Sequence, residues 1–143
     1  MSKVSFNYAD IKPINLTGKQ KVKQFIELLF KKEKKPLNQL DYIFCSDPYL
    51  LEINKSFLQH DYFTDIITFD LSEGKETIGE IYISVDTVKD NAKDHTVTFQ
   101  NELLRVIFHG ALHLCGYGDK KKSEITIMRQ KEDYYLHLYH QNS

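Results

Sequence analysis

The segment His109-Gly110-Ala111-Leu112-His113-Leu114-Cys115-Gly116-Tyr117-Gly118-Asp119 constrains this chain more than any other. Residues four apart on a helix share a face, so His109 and His113 present two imidazoles to one point in space. Gly116 is suited to the left-handed conformation that closes a helix and turns the chain back. Asp119 then returns toward the histidines. Helix, glycine turn and returning loop follow the H-x-x-x-H-x-x-G-x-x-(H/D) spacing of metal sites with three protein ligands, which leave a fourth position for water. Two nitrogens and a carboxylate suit Zn2+, and also admit manganese, iron or nickel. Asp119 has a competing local reading, because an aspartate in a glycine-rich loop before a helix can cap that helix or form an Asx turn.

What the segment lacks is equally informative. In H-E-x-x-H metallopeptidases the residue after the first histidine is the glutamate that serves as general base. Here it is Gly110, which disfavours a metallopeptidase. The metal must then lower the pKa of its own water, or another residue must take the proton. Cys115 follows His113 by two positions and points off the ligand face, so it reads as buried and apolar.

Around this segment, hydrophobic periodicity sets out the other elements. Val4, Phe6 and Tyr8 alternate as a strand; Val22, Phe25, Ile26, Leu29 and Phe30 mark a helix between Thr17 and Lys34, stopped by Pro36. A second strand runs from Leu40 to Cys45, and Asp47-Pro48 predicts an N-cap and first helical residue for a helix reaching about Leu58. That helix is expected to bury Leu50, Leu51, Ile53, Asn54 or its neighbours, and Phe57. Asp65 to Phe69 and Ile78 to Ser84 predict an antiparallel hairpin. Helices follow at Asp86 to His95, from a Thr98 cap to Leu114, and from about Ser123 to His140. Tyr134, Tyr135 and Tyr139 on the last of these read as amphipathic packing. The order predicts an α+β fold: a mixed four-stranded sheet packed with about five helices, its metal site on a helix plus a returning loop. No linker or repeat divides residues 1–143, so one domain is expected.

Cys45 and Cys115 form no C-x-x-C pair, and no signal peptide or membrane span is expected, so the chain is placed in a reducing cytoplasm. The net charge of -1 excludes a uniformly basic nucleic-acid binder. Yet residues 1–35 carry nine lysines against three acidic residues, and residues 36–143 carry ten Lys and Arg against seventeen acidic residues. The near-neutral total is a cancellation. Lys31, Lys32, Lys34 and Lys35 at a helix end, and Lys120, Lys121 and Lys122 beside Asp119, are positive clusters suited to an acidic partner or to plain solvation.

The segment resembles the signature of the YbeY family of metal-dependent endoribonucleases, bacterial rRNA maturation factors, which reads H-G-x-L-H-L-x-G-Y-D-H. His109, Gly110, Leu112, His113, Leu114, Gly116 and Tyr117 match. Gly118 stands where the family has Asp, and Asp119 where it has its third zinc-binding His. Upstream, Leu51 to Phe69, with Asn54 and Thr64-Asp65-Ile66-Ile67-Thr68-Phe69, is similar to the family's L-N-x-x-[YF]-R and T-D-V-L-S-F. Gly79-Glu80-Ile81-Tyr82-Ile83-Ser84 is similar to its G-D-I-x-I-S strand, and Glu102-Leu103 precedes the histidine helix. Leu58 takes the place of a family arginine important for RNA cleavage, with His60 and Lys55 as the nearest polar substitutes.

The resemblance implies hydrolysis of single-stranded RNA, maturation of the 16S rRNA 3′ end and ribosome quality control. It implies one Zn2+ on His109, His113 and Asp119, and catalytic roles for His109, His60 and Arg105, a solvated loop histidine being the alternative for His60. With RNA as the implied substrate, Lys31, Lys32, Lys34, Lys35, Lys120, Lys121 and Lys122 become candidate RNA-facing residues, and Tyr117 a candidate for stacking on a base or donating to a phosphate, with packing as its alternative. Arg105 would supply a cation near the leaving group, a salt bridge to Glu102 or a neighbour being the alternative. Implied partners are the small ribosomal subunit, its precursor rRNA, an assembly GTPase and small-subunit proteins. Two other readings stay open: a non-catalytic assembly factor with a structural metal site, and the metallopeptidase that Gly110 disfavours.

Overall fold

The computed structural model describes residues 2–58 and 64–141. The elements are β1 (Val4–Tyr8), α1 (Lys19–Lys32), β2 (Leu37–Cys45), α2 (Asp47–Leu58), β3 (Ile66–Asp70), β4 (Thr77–Ser84), α3 (Val85–Asp94), α4 (Phe99–Leu114) and α5 (Lys122–Gln141). The fold is α+β, with a mixed sheet of order β1-β2-β4-β3. β2 pairs in parallel with β1 and β4, and β3 closes the other edge antiparallel to β4, as the hairpin reading expected. No helix among the described residues is long and apolar enough to cross a membrane.

Strand alternation places apolar side chains on both faces of the sheet. Leu40, Tyr42, Phe44, Ile81 and Ile83 point into the main core with α1, α4 and α5. Cys45, Ile67, Phe69 and Tyr82 point the other way and meet Leu50 and Ile53 of α2. α4 is the central helix: Leu103, Leu104, Val106, Ile107, Phe108, Ala111, Leu112 and Leu114 are all buried. It starts where Thr98 Oγ1 accepts the Asn101 N–H at 3.1 Å. It lies against the sheet at Gly110, where an added Cβ would fall 2.8 Å from Ile81 Cδ1 and 3.0 Å from Ile66 Cδ1. The position that carries a base in H-E-x-x-H sites here faces a packed wall.

Several local expectations need correcting. Ser46, not Asp47, caps α2, its Oγ accepting the Tyr49 N–H at 3.3 Å. Asp47 instead accepts hydrogen bonds from Ser84 Oγ and Thr87 Oγ1, tying α2 to the start of α3. Phe57 is 70% exposed rather than buried, and meets Phe69 only edge-on. α1 ends at Lys32, before Pro36, because Lys34 adopts φ 59°. The Lys34 and Lys35 N–H groups then bond to the carbonyls of Lys31 and Phe30, a Schellman closure that exhausts the helix end. β2 consequently starts at Leu37, three residues earlier than its apolar run suggests.

Glu33, at the α1 C-terminus, occupies the end of the dipole that disfavours an anion. It is held there by donors from elsewhere: Tyr117 Oη at 2.7 Å, Lys131 Nζ at 3.2 Å, and Tyr135 Oη. Burial pushes its pKa up, but these donors outweigh burial and hold it below the ordinary value of 4.5. The stabilisation is therefore complete above pH 4.5 and is lost as pH falls through the lower folded-state pKa. Glu33→Gln is expected to cost about 1–3 kcal/mol at neutral pH, and to flatten the loss of stability below pH 4.5. Parallel wild-type and variant curves in urea unfolding across pH 3–7 would contradict this.

Candidate metal centre

Beyond its first turn, α4 carries one polar stripe, of which Glu102 is itself buried. Glu102, Arg105, His109 and His113 recur along it and line a cleft of about 770 Å3 between α4, β3 and the first half of α5. Beyond His113 the helix closes as the glycine position requires: Gly116 takes φ 108°, its N–H bonds to the His113 carbonyl at 3.0 Å, and the Tyr117 N–H bonds to that of Leu112 at 3.1 Å. The chain reverses, and Asp119 Oδ2 comes to 3.2 Å from His109 Nε2 and 3.1 Å from His113 Nε2. The three candidate ligand atoms all lie within 4.8 Å of one another.

Asp119 does not act as the cap of α5. The Lys120 and Lys121 N–H groups bond instead to Glu124 Oε1, at 3.3 and 2.9 Å.

Glu132 of α5 sets the state of the first histidine. Its Oε2 lies 2.6 Å from His109 Nδ1, and its Oε1 accepts from Arg105 NH1 at 2.9 Å. Burial raises the Glu132 pKa, but His109 and Arg105 outweigh it and keep the carboxyl below its ordinary value. An ionised carboxylate can only accept, so Glu132 holds a ring proton on Nδ1, which leaves Nε2, beside Asp119 and His113, as the nitrogen available to a metal. That is the arrangement in which a histidine binds a metal through one nitrogen and is oriented through the other. The donor set of two imidazoles and one carboxylate fits a divalent ion. For His109, burial lowers the pKa, but Glu132, Asp119 and Asp65 more than reverse it, so the imidazole titrates above its ordinary value. Burial raises the Asp119 pKa too, yet the two histidines hold it low. Asp65 in the same cleft moves the other way, pushed up by burial and then by Glu102 and Glu132 against the pull of His109.

The other expected site residues are placed as follows. Arg105 is ion-paired with Glu132 and, through NH2, with Asp133 at 2.7 Å, rather than with Glu102. Glu102 instead lies 3.4 Å from His95 Nδ1. The Tyr117 hydroxyl is engaged by Glu33. Lys120 lines the metal cleft, with Lys121 and Lys122 exposed beside it. Lys31, Lys34 and Lys35, with Lys3, line a separate depression of about 550 Å3 that also holds Glu27. Lys32 lies 5.7 Å from the Tyr134 ring. Tyr135 and Tyr139 pack in the core, whereas Tyr134 is exposed. Lys55 is on the last turn of α2, and His60 lies outside the described residues. Burial pushes the Cys115 and Cys45 thiols up to about 12, so neither is a thiolate at neutral pH.

Glu132 was missed by sequence reasoning, as were His95 and Arg129 in the cleft. A signal for Glu132 exists: it falls on the α5 stripe of Met128, Tyr135, Leu136 and Tyr139, a lone charge on an apolar face. Glu132→Gln is expected to weaken Zn2+ binding by about 10–100-fold, read by competition with a chromophoric chelator. Unchanged affinity would show that His109 needs no carboxylate behind it.

Comparison with known proteins agrees with this architecture. The family model for Endoribonuclease YbeY matches residues 5–140. The Endoribonuclease YbeY of Flavobacterium johnsoniae is 42% identical over 137 residues, covering 96% of this chain and 97% of its own. That of Cytophaga hutchinsonii is 52% identical over 124 residues, covering 86% and 87%. The solution structure of TM1509 from Thermotoga maritima superposes with a TM-score of 0.60 at 27% identity, covering 95% of this chain and 88% of that one. With a family match across nearly its whole length and a His-His-Asp cluster of the metal-dependent hydrolase type, the chain belongs to the YbeY endoribonuclease family.

Proposed function

We propose that this protein is a Zn2+-dependent endoribonuclease that cuts single-stranded RNA, maturing the 3′ end of 16S rRNA and serving ribosome quality control in the cytoplasm. Its partners are the small ribosomal subunit and its precursor rRNA, together with an assembly GTPase and small-subunit proteins. One observation carries the reading: in a chain of this family, His109, His113 and Asp119 converge within 4.8 Å on the wall of an open cleft.

A divalent ion at this site supplies charge against a phosphoryl oxygen and acidifies a water molecule. The chain's own residues prepare the site. Glu132 fixes the His109 tautomer, Arg105 keeps Glu132 ionised, and Gly116 returns Asp119. Gly110 leaves no room for a peptidase-type base, which argues against peptide hydrolysis. Lys120 stands at the cleft, and Lys31, Lys34 and Lys35 extend positive charge over the end of α1, where a phosphate backbone would be attracted.

Purified protein is expected to hold close to one metal ion per chain and to cleave a single-stranded RNA, and His113→Ala is expected to lose both properties. If chelator-treated protein cuts undiminished, or if saturating metal gives RNA binding with no cleavage, the reading fails, the second outcome favouring an assembly factor. Charge reversal at Lys31, Lys32, Lys34 and Lys35 is expected to weaken RNA binding and flatten its salt dependence. Unchanged binding would return these lysines to ordinary solvated surface.

A further inference from the structure

Three Lys or Arg residues line the metal cleft among the described residues: Arg105, Lys120 and Arg129. They face the carboxylates of Asp65, Asp70, Glu102, Asp119 and Glu132. A phosphodiester entering this acidic cleft needs a compensating cation besides any metal, and Arg105 is not free to provide it. Its two terminal nitrogens are held at 2.9 Å by Glu132 and 2.7 Å by Asp133, and its side chain is 21% exposed.

Arg129 is in the opposite condition. Glu132 already gives one oxygen to Arg105 and the other to His109, so Arg129 NH1 stays 3.9 Å from Glu132 Oε1, beyond hydrogen-bond distance. Its side chain is 58% exposed, and Glu132 is its one ion-pair partner among the described residues. The guanidinium thus stands beside the carboxylate that holds His109, with its fork of donors unused among the described residues. One turn earlier on the same wall, Ile125 is 51% exposed, an apolar surface next to a planar cation. A free guanidinium matches the paired oxygens of a phosphate in a way an ammonium does not. An adjoining apolar side chain gives a nucleobase a surface to rest on.

We infer that Arg129 binds the RNA in the metal cleft, gripping the non-bridging oxygens of a phosphate at or next to the scissile bond, with Ile125 supporting the neighbouring base. The inference rests on the endoribonuclease reading and adds a substrate-contacting residue to it. The test measures binding of a fluorescein-labelled single-stranded RNA to metal-free protein, and single-turnover cleavage by Zn2+-loaded protein, for wild type, Arg129→Ala and Arg129→Lys. Arg129→Ala is expected to weaken metal-free RNA binding roughly tenfold and to slow cleavage, with Zn2+ affinity and thermal stability unchanged. Arg129→Lys is expected to recover the salt-dependent part of binding but not the cleavage rate.

Wild-type binding and cleavage by Arg129→Ala, alongside a His113→Ala control that has lost cleavage, would overturn the role of Arg129 and leave the endoribonuclease reading standing. Absence of RNA binding and cleavage in the wild type itself would overturn both.

Discussion

The burial of α4 is the constraint on which the rest depends. A helix packed by the sheet on one side and by neighbouring helices on others keeps, beyond its first turn, a single stripe for polar residues, and Glu102, Arg105, His109 and His113 occupy it. Because the core fixes the rotation of this helix, it also fixes where two imidazoles point. Gly110 lets α4 settle against Ile81 and Ile66, and Gly116 ends it with a reversal that brings Asp119 back within reach. The site is a by-product of packing: any shift of α4 on the sheet would move His109 and His113 together.

A second layer of control comes from α5. Glu132 lies among core residues yet is ionised, which a buried carboxylate tolerates only with strong partners. Arg105 and His109 are those partners. The same carboxylate therefore joins α4 to α5, orients one candidate ligand and occupies the arginine nearest to it on α4. Glu33 does comparable work at the other end of the turn, holding Tyr117 two residues before Asp119 while accepting from Tyr135 and Lys131 of α5. The returning loop is thereby anchored from both α1 and α5.

What was legible in the sequence was what is local. The helical period and one glycine place His109, His113 and Asp119 within eleven residues, so spacing alone brings them together, and the hairpin of β3 and β4 follows from two apolar runs and a short turn. Glu132 pairs with a histidine 23 residues away, a contact that no local pattern encodes. Arg105 likewise finds its partners on α5 rather than at its helical neighbour Glu102. The errors at element ends have the same origin. Ser46 and Asp47 are both good caps, and tertiary bonds to Ser84 and Thr87 draw Asp47 inward. Lys34 accepts a left-handed conformation that composition would assign to glycine. Phe57 follows the apolar period of α2 yet is 70% exposed, meeting Phe69 edge-on. Net charge was the least informative quantity, because lysines near the end of α1 and carboxylates around the cleft cancel in the sum while remaining apart in space.

The central claim is that one helix and its returning loop supply a closed set of two imidazoles and one carboxylate. X-ray absorption spectroscopy of the Zn2+-loaded protein tests it most directly. The account predicts a nitrogen and oxygen shell at about 2.0–2.1 Å with the multiple scattering of two imidazoles and no sulfur, reduced to one imidazole in His113→Ala. A sulfur shell near 2.3 Å, which only Cys115 or Cys45 could provide, or a spectrum unaltered by His113→Ala, would contradict it.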